Sequence, residues 1–486
     1  MALSSGPAAF FGVPEQSFAG NSGYEYSVVR KDGNLFLDFR KPDANGARRE
    51  LAWFIGSGAA ARSYLIAVDG FLYEAPATYY SRTGGWALSP GYDRYSYPFL
   101  TRAIAPGCLQ CHATGVRTIA GTQNGYQAPP FAEGGIGCER CHGPGAAHAA
   151  SGKAGDIVNP ASLPAEQRDS VCAQCHLSGE TRVDRAGKST SDFKAGEKLS
   201  DYTTAFVRAN STRGMKVTSH AENLAQSACL RASGGRLWCG TCHDPHFVPG
   251  ATEKAAWFRS KCQACHAAAE CRRGENCIAC HMPAGSVTDA DHVVYTDHSI
   301  PRRPEPRNRR PPADAPLVAL GVASGVAFGG EPAGPRDQGL AYAIVALREQ
   351  NAVYSARAFD LLREAQRGNP DDPQTLSYLA DLYKTRKDDR NAERLYQRLY
   401  AVDRTQSGAP ANLGAYEMER GDNEDAIRLF REALRISPAL VLVRVDLAVA
   451  LLRTGRAEEA RAVLEKALEF NPWFTAARDL LSRIPR

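Results

Sequence analysis

Outside residues 108–280 this chain has no cysteine, and outside 112–298 it has no histidine. Residues 1–107 and 299–486 are therefore without thiol or imidazole ligands for a metal. No stretch approaches 18 consecutive apolar residues, which excludes a membrane-spanning helix. Met1–Gly20 contains no lysine or arginine and only a broken apolar run, so it does not read as a signal peptide. Basic residues number 58 against 53 acidic, and a net charge of +5 is too small a bias to be a nucleic-acid footprint. The densest basic cluster, Arg302, Arg303, Arg307, Arg309 and Arg310, lies among prolines and reads as a solvated linker.

What the chain does have is concentrated in the middle. Twelve of its 14 cysteines form six copies of Cys-x-x-Cys-His: Cys108 and Cys111, Cys138 and Cys141, Cys172 and Cys175, Cys239 and Cys242, Cys262 and Cys265, Cys277 and Cys280. In this motif two thiols about one helical turn apart form thioethers with the vinyl groups of haem c, and the adjoining histidine reaches the iron. The proximal ligands are then His112, His142, His176, His243, His266 and His281, and six covalent haems are expected. Structural zinc needs paired cysteines but no histidine after every second one. A thioredoxin-like dithiol accounts for one such motif, not six.

Five histidines lie outside the motifs: His148, His220, His246, His292 and His298. Their confinement to the motif region makes them distal-ligand candidates. His246 follows proximal His243 by three residues, a tether too short to reach the far face of the same haem, so it should serve a neighbour. His148, six residues after His142, invites the same argument. Six irons and five spare histidines leave one position short. Met215, a lysine, a histidine beyond this chain, a neighbouring subunit or an open site would fill it, and the Cys108 haem is expected to be the anomalous one. Met282, beside His281, is poorly placed. The remaining Cys229 and Cys271 read most simply as a disulfide, the alternative being two buried thiols.

The organisation expected is multidomain. Residues 1–100 are β-rich: Tyr24–Arg30 and Leu35–Arg40 flank Asp32-Gly33, Ser63–Val68 and Phe71–Ala75 flank Asp69-Gly70, and Leu51–Ile55 is a further strand, together a small antiparallel meander over the haem region. Residues 101–300 form a hexahaem domain of irregular chain and short helices, such as Ala221–Ser227 and Ala251–Ala268, in which macrocycles supply the missing apolar core. Residues 301–338 read as a Pro/Arg/Gly linker. Over 339–486 a 34-residue period appears: Ala358, Ala392, Ala426 and Ala460, then Leu362, Tyr396, Phe430 and Leu464, with Pro370, Pro438 and Pro472 closing repeats. This resembles about four tetratricopeptide repeats forming an α-solenoid, with Trp473–Arg486 as a capping helix.

The stretches Cys138-Glu-Arg-Cys-His142-Gly-Pro-Gly, Ser219-His220-Ala-Glu-Asn-Leu, Cys239-Gly-Thr-Cys-His243-Asp-Pro-His246 and Cys277-Ile-Ala-Cys-His281-Met-Pro resemble the multihaem cytochromes of the cytochrome c-554 and nitrite reductase superfamily. The resemblance covers about 50–300, and it implies that the five spare histidines are distal ligands. Gly56–Tyr64 contains no histidine where such proteins often carry one. No Cys-x-x-Cys-Lys, the mark of the superfamily's catalytic haem, is present. The resemblance thus implies an electron-transfer protein with mostly bis-His haems, more than a catalytic reductase. The alternatives are an oxidoreductase acting on a small nitrogen or sulfur compound at one open haem, and a subunit of an extracellular cytochrome filament. Redox protein partners would dock through 339–486. Bacterial haem c attachment takes place outside the cytoplasm, so a periplasmic or extracellular location is expected, with Met1 not the true start or an export signal missing.

Overall fold

A computed structural model describes residues 5–41, 44–94, 102–209, 215–266, 276–290, 292–302, 312–320 and 333–485. The chain divides into two compact units, Ile136–Leu361 and Leu3–Gly135 together with Leu362–Arg486.

The second unit brackets the first in sequence. It holds two antiparallel sheets. One is built from β2 (Gln16–Ala19), β3 (Glu25–Lys31), β4 (Asn34–Lys41) and β5 (Ala44–Leu51) in that order. The other runs β1 (Ser5–Pro7), β6 (Trp53–Ile55), β7 (Ala61–Val68), β8 (Phe71–Tyr80) and β9 (Gly85–Leu88). The turns are those the sequence calls for. Asp32 and Asp69 take φ of 49° and 51° and the following Gly33 and Gly70 83° and 81°, the left-handed pair that a two-residue hairpin needs. Along β4 burial alternates, with Leu35, Leu37 and Phe39 inside. The strand expected over Leu51–Ile55 is in fact broken: β5 ends at Leu51 and β6 begins at Trp53, one strand in each sheet. The Ala52 N–H donates to Leu65 at the switch. A hairpin of β10 (Ala113–Thr118) and β11 (Tyr126–Gly134) follows the first motif.

The rest of this unit is helical. Pairs Pro373–Thr385 and Asp389–Val402, Gly408–Arg420 and Asn423–Ile436, and Val441–Arg453 and Ala457–Phe470 succeed one another, closed by Thr475–Ser482. The positions that recur every 34 residues are the packed ones: Ala392, Ala426, Ala460, Phe430 and Leu464 are all fully buried. Gly414 explains a small residue in a first helix, since a Cβ there would lie 2.7 Å from the Phe430 ring. One hydrophobic core joins sheets and repeats: Leu37, Phe39, Phe54 and Tyr73 belong to the same cluster as Phe430, Leu464 and Phe470. Trp473 packs edge-on against Tyr24 (5.0 Å) and Phe39 (5.5 Å), and Phe470 against Tyr73 (5.8 Å). The sheets therefore have their own partner in the last repeats, a contact that a meander laid only over haems did not anticipate.

The first unit carries short helices and small sheets. Thr181–Asp184, Thr203–Arg208 and Leu317–Ala319 form a three-stranded antiparallel sheet with Thr203–Arg208 in the middle, buried along its whole length. Leu317–Ala319 lies within the stretch read as a linker, whose residues 303–311 and 321–332 are outside the described residues. Helix Pro335–Glu349 packs on this sheet: the Tyr342 hydroxyl accepts the Leu317 N–H at 3.0 Å, and Arg185 meets Asp337 at 3.1 Å. Short helices appear where expected, at His220–Leu224 and Lys254–Gln263.

Candidate haem-binding site

Each motif sits on, or at the end of, a helix: Pro106–Gln110, Glu139–His142, Ala165–His176, Cys239–Cys242, Lys254–Gln263 and Cys277–His281. The helical bond from the histidine N–H to the first cysteine carbonyl runs from His142 to Cys138 (3.0 Å), from His243 to Cys239 (2.9 Å) and from His266 to Cys262 (3.0 Å). This turn brings both thiols and the imidazole to one side, as attachment of one macrocycle requires. The first motif belongs to the sheet-and-repeat unit, where Leu109 is buried with Leu65, Leu72, Ile104 and Tyr126. The other five belong to the first unit, as do all five spare histidines.

The fold brings three motif histidines close to three that lie outside motifs, and His220 and His298 of the latter also meet edge-on at 4.7 Å. His142 and His246 have ring centroids 5.8 Å apart and planes 12° apart. His243 and His298 are 6.1 Å and 25° apart. His176 and His220 are closer, 4.9 Å and 89° apart, their Nδ1 atoms separated by 3.3 Å. Two imidazoles on opposite faces of one iron have centroids about 6 Å apart, from two bonds of about 2 Å plus the ring radii. The first two pairs fit that spacing directly, and the third needs about an ångström of opening. His246, three residues past His243, faces His142 rather than its own neighbour's iron.

Hydrogen bonding also fits iron ligation. The Nδ1–H of His142 donates to Val158 (2.7 Å), of His148 to Lys153 (2.9 Å), of His281 to Pro301 (3.1 Å) and of His298 to Thr296 (2.8 Å). Each bond fixes the tautomer that leaves Nε2 a lone pair, the second interaction seen around ligating histidines. Burial lowers the pKa of His112, His176, His243 and His298, and takes His220 to about 3, with His298, His176 and His243 adding their repulsion. These imidazoles are neutral, the only form that binds metal. His266 ends its motif helix turn, and His292 stands in the left-handed region at φ 59°. Met215 lies against Gly285 of the short strand Ala284–Ser286. Cys229 is a thiol in this structure, and its expected partner Cys271 lies outside the described residues.

The motifs are tied to one another by residues that no motif pattern singles out. Gln174, between Cys172 and Cys175, is 3% exposed and donates to the Arg140 carbonyl, between Cys138 and Cys141, at 3.3 Å. Arg168 stacks on Trp238 at 5.0 Å and donates to Gly235, so the helix of the third motif holds the approach to the fourth. A hydrogen bond from the Cys172 thiol toward Cys239, together with burial, pushes Cys172 up. What could have flagged Gln174 in the sequence is only that it is a large polar residue inside a motif turn.

Thiol pairs, paired imidazoles and a region with little side-chain core define a multihaem c-type site joined to a helical-repeat region. The comparisons agree. A family model for cytochrome c554 and c-prime matches residues 97–143, which include the first two motifs, and a tetratricopeptide-repeat model matches 417–484. The multiheme cytochrome MtrA of Shewanella baltica (strain OS185) is 25% identical over 224 residues, 41% of this chain and 54% of that protein, so the chain spans about half the length of the curated relative it matches. Among solved structures, MamA is 17% identical with a TM-score of 0.25, covering 28% of this chain and 78% of that one. YrrB, a TPR protein with an unusual peptide-binding site, is 16% identical with a TM-score of 0.26, covering 29% of this chain and 72% of that one. At such scores the repeat assignment stands on its own 34-residue geometry and the family match. The chain is thus similar to multihaem cytochromes in its motif region and to tetratricopeptide-repeat proteins at its C-terminal end.

Proposed function

We propose that this protein is an exported electron carrier with six covalent haems c, most of them held between two histidines, and that its repeats dock redox partners. The observation that carries this reading is the three imidazole pairs, each joining a motif histidine to one from elsewhere in the chain. Haem c supplies a one-electron iron couple. The chain's histidines would fill both axial positions, which leaves a substrate no iron site, and the backbone-bonded Nδ1 atoms of His142 and His298 would raise ligand basicity and favour the ferric state. The MtrA likeness and the haem chemistry both favour a periplasmic or extracellular location. Among the described residues no helix is long and apolar enough to cross a membrane.

Mass spectrometry of the intact protein counts haems, and low-temperature EPR of the ferric form reads their ligands. The expected result is six haem additions and predominantly low-spin signals. Fewer than six additions would remove motifs from the count. A majority of high-spin signals would refute the bis-His carrier.

A further inference from the structure

The segment Ser219–Ser227 is more polar than its burial allows without compensation. Ser219, Glu222, Asn223 and Ser227 are all at most 3% exposed. A carboxylate removed from water is costly unless it is fully hydrogen-bonded, and Glu222 is bonded to one place in particular. It accepts the Ser178 N–H at 3.2 and 3.3 Å and the Gly179 N–H at 2.8 Å. Ser178 and Gly179 are the second and third residues after His176, and Glu222 is the second after His220. One carboxylate thus joins the backbone just past one imidazole to the helix that begins with the other.

The turn it grips has no other way to run. Gly179 has φ +60°, and a Cβ there would stand 2.5 Å from the Phe206 carbonyl oxygen. Glu180 is held to that same carbonyl at 2.6 Å. From the other side Lys216 donates to the Gly179 carbonyl at 2.5 Å, and Thr218 shares a hydrogen bond with Ser178. Residues 216–222 therefore clasp the 178–180 turn at three points, with Glu222 the innermost.

Building on the axial reading of His176 and His220, we infer that Glu222 is a positioning residue that holds these two imidazoles next to one another, 4.9 Å apart, and so keeps both on one iron. It touches neither ring and acts through the turn and the helix. Glu222→Ala removes both acceptors. Glu222→Gln keeps one acceptor for Gly179 but sets an amide N–H against that of Ser178, so its effect should be partial.

The test uses the full-length, haem-loaded protein in four forms: wild type, His220→Ala, Glu222→Ala and Glu222→Gln, with Ser189→Ala, which lies in the same unit and on no motif helix, as a control. Ferrous carbon monoxide binding and ferric EPR read ligand loss, and intact mass confirms that the haem count is unchanged. His220→Ala should take up about one equivalent of carbon monoxide more than wild type. Glu222→Ala should approach that value, Glu222→Gln should fall between, and Ser189→Ala should match wild type. If His220→Ala opens a site and neither Glu222 variant does, the positioning role is overturned while the axial reading stands. If His220→Ala itself opens nothing, the axial reading of His220 falls and this inference with it. Should Glu222→Ala lose a haem by mass, Glu222→Gln decides alone, with wild-type binding counting against the role.

Discussion

Replacing Phe470 with alanine should loosen the N-terminal sheets as much as the last repeat. Phe470 is fully buried at the end of helix Ala457–Phe470. Its ring meets Tyr73 of β8 edge-on at 5.8 Å, and Arg444 lies over it at 5.2 Å. Truncation removes the transfer energy of the ring and leaves a cavity, together about 3–5 kcal/mol for a buried phenylalanine. The Arg444 guanidinium, already pushed below its ordinary pKa by burial, keeps its bond to the Pro438 carbonyl but loses the ring face. That adds about 1 kcal/mol. For a unit of this size roughly 4 kcal/mol lowers the melting temperature by about 8–16 °C. The assay is hydrogen exchange followed by mass spectrometry at a urea concentration below the midpoint. Amides of β7 and β8 and amides of Val441–Phe470 should lose protection together, by similar factors. A double-mutant cycle with Tyr73→Leu should return a coupling of about 0.5–1.5 kcal/mol. If the repeats lose protection while β7 and β8 keep theirs, sheets and repeats do not share one core and the reasoning fails.

Three further outcomes are expected. His246→Ala should remove a low-spin EPR signal, and the same substitution should change nothing when Cys138 and Cys141 are alanine, because His246 faces His142; a change in that background would assign His246 elsewhere. Gly179→Ala should cost about 2 kcal/mol or more, since it combines a left-handed backbone with a carbonyl contact, and an unchanged urea midpoint would contradict it. Burial raises the Glu74 carboxyl from 4.5 to about 7, with Arg102 at 3.0 Å pulling it back. The folded state therefore binds this proton more tightly than the unfolded state, so stability falls as pH rises between about 4.5 and 7 and is flat with respect to this group on either side. The full amplitude is roughly 3 kcal/mol at most, and Glu74→Gln should flatten that slope in urea midpoints; an unaltered slope would place the effect on another group.

What could be read in the sequence was whatever chemistry is local. The Asp-Gly pairs at 32–33 and 69–70 name their own turns because the left-handed backbone they require is a property of two residues. The 34-residue period names the repeat because small residues recur wherever helices approach closely, as Gly414 does against Phe430. Two kinds of feature were not legible. Thr203–Arg208 is buried on both faces and so carries no alternation to mark it as a strand. The imidazole pairs join residues 44 to 104 positions apart, and nothing in the spacing of His142 and His246 or of His176 and His220 states which will meet. Glu222 was visible only as an acidic residue beside a candidate ligand, and its importance lies in two N–H groups more than forty residues upstream.

The bracketing of one unit by the other sets a timetable for the growing chain. Leu37, Phe54 and Tyr73 share their core with Phe430, Leu464 and Phe470, so the Arg49 guanidinium waits 420 residues for its carbonyl on Glu469. A chain emerging from its N-terminal side cannot close this core until every Cys-x-x-Cys-His has already emerged. Cys108 and Cys111, on the unit that closes last, thus stay accessible to the attachment machinery throughout the period in which the other ten motif cysteines are being delivered. A chain halted before residue 430 should accordingly leave β7 and β8 open to protease, and resistance at that stage would show that the sheets close early.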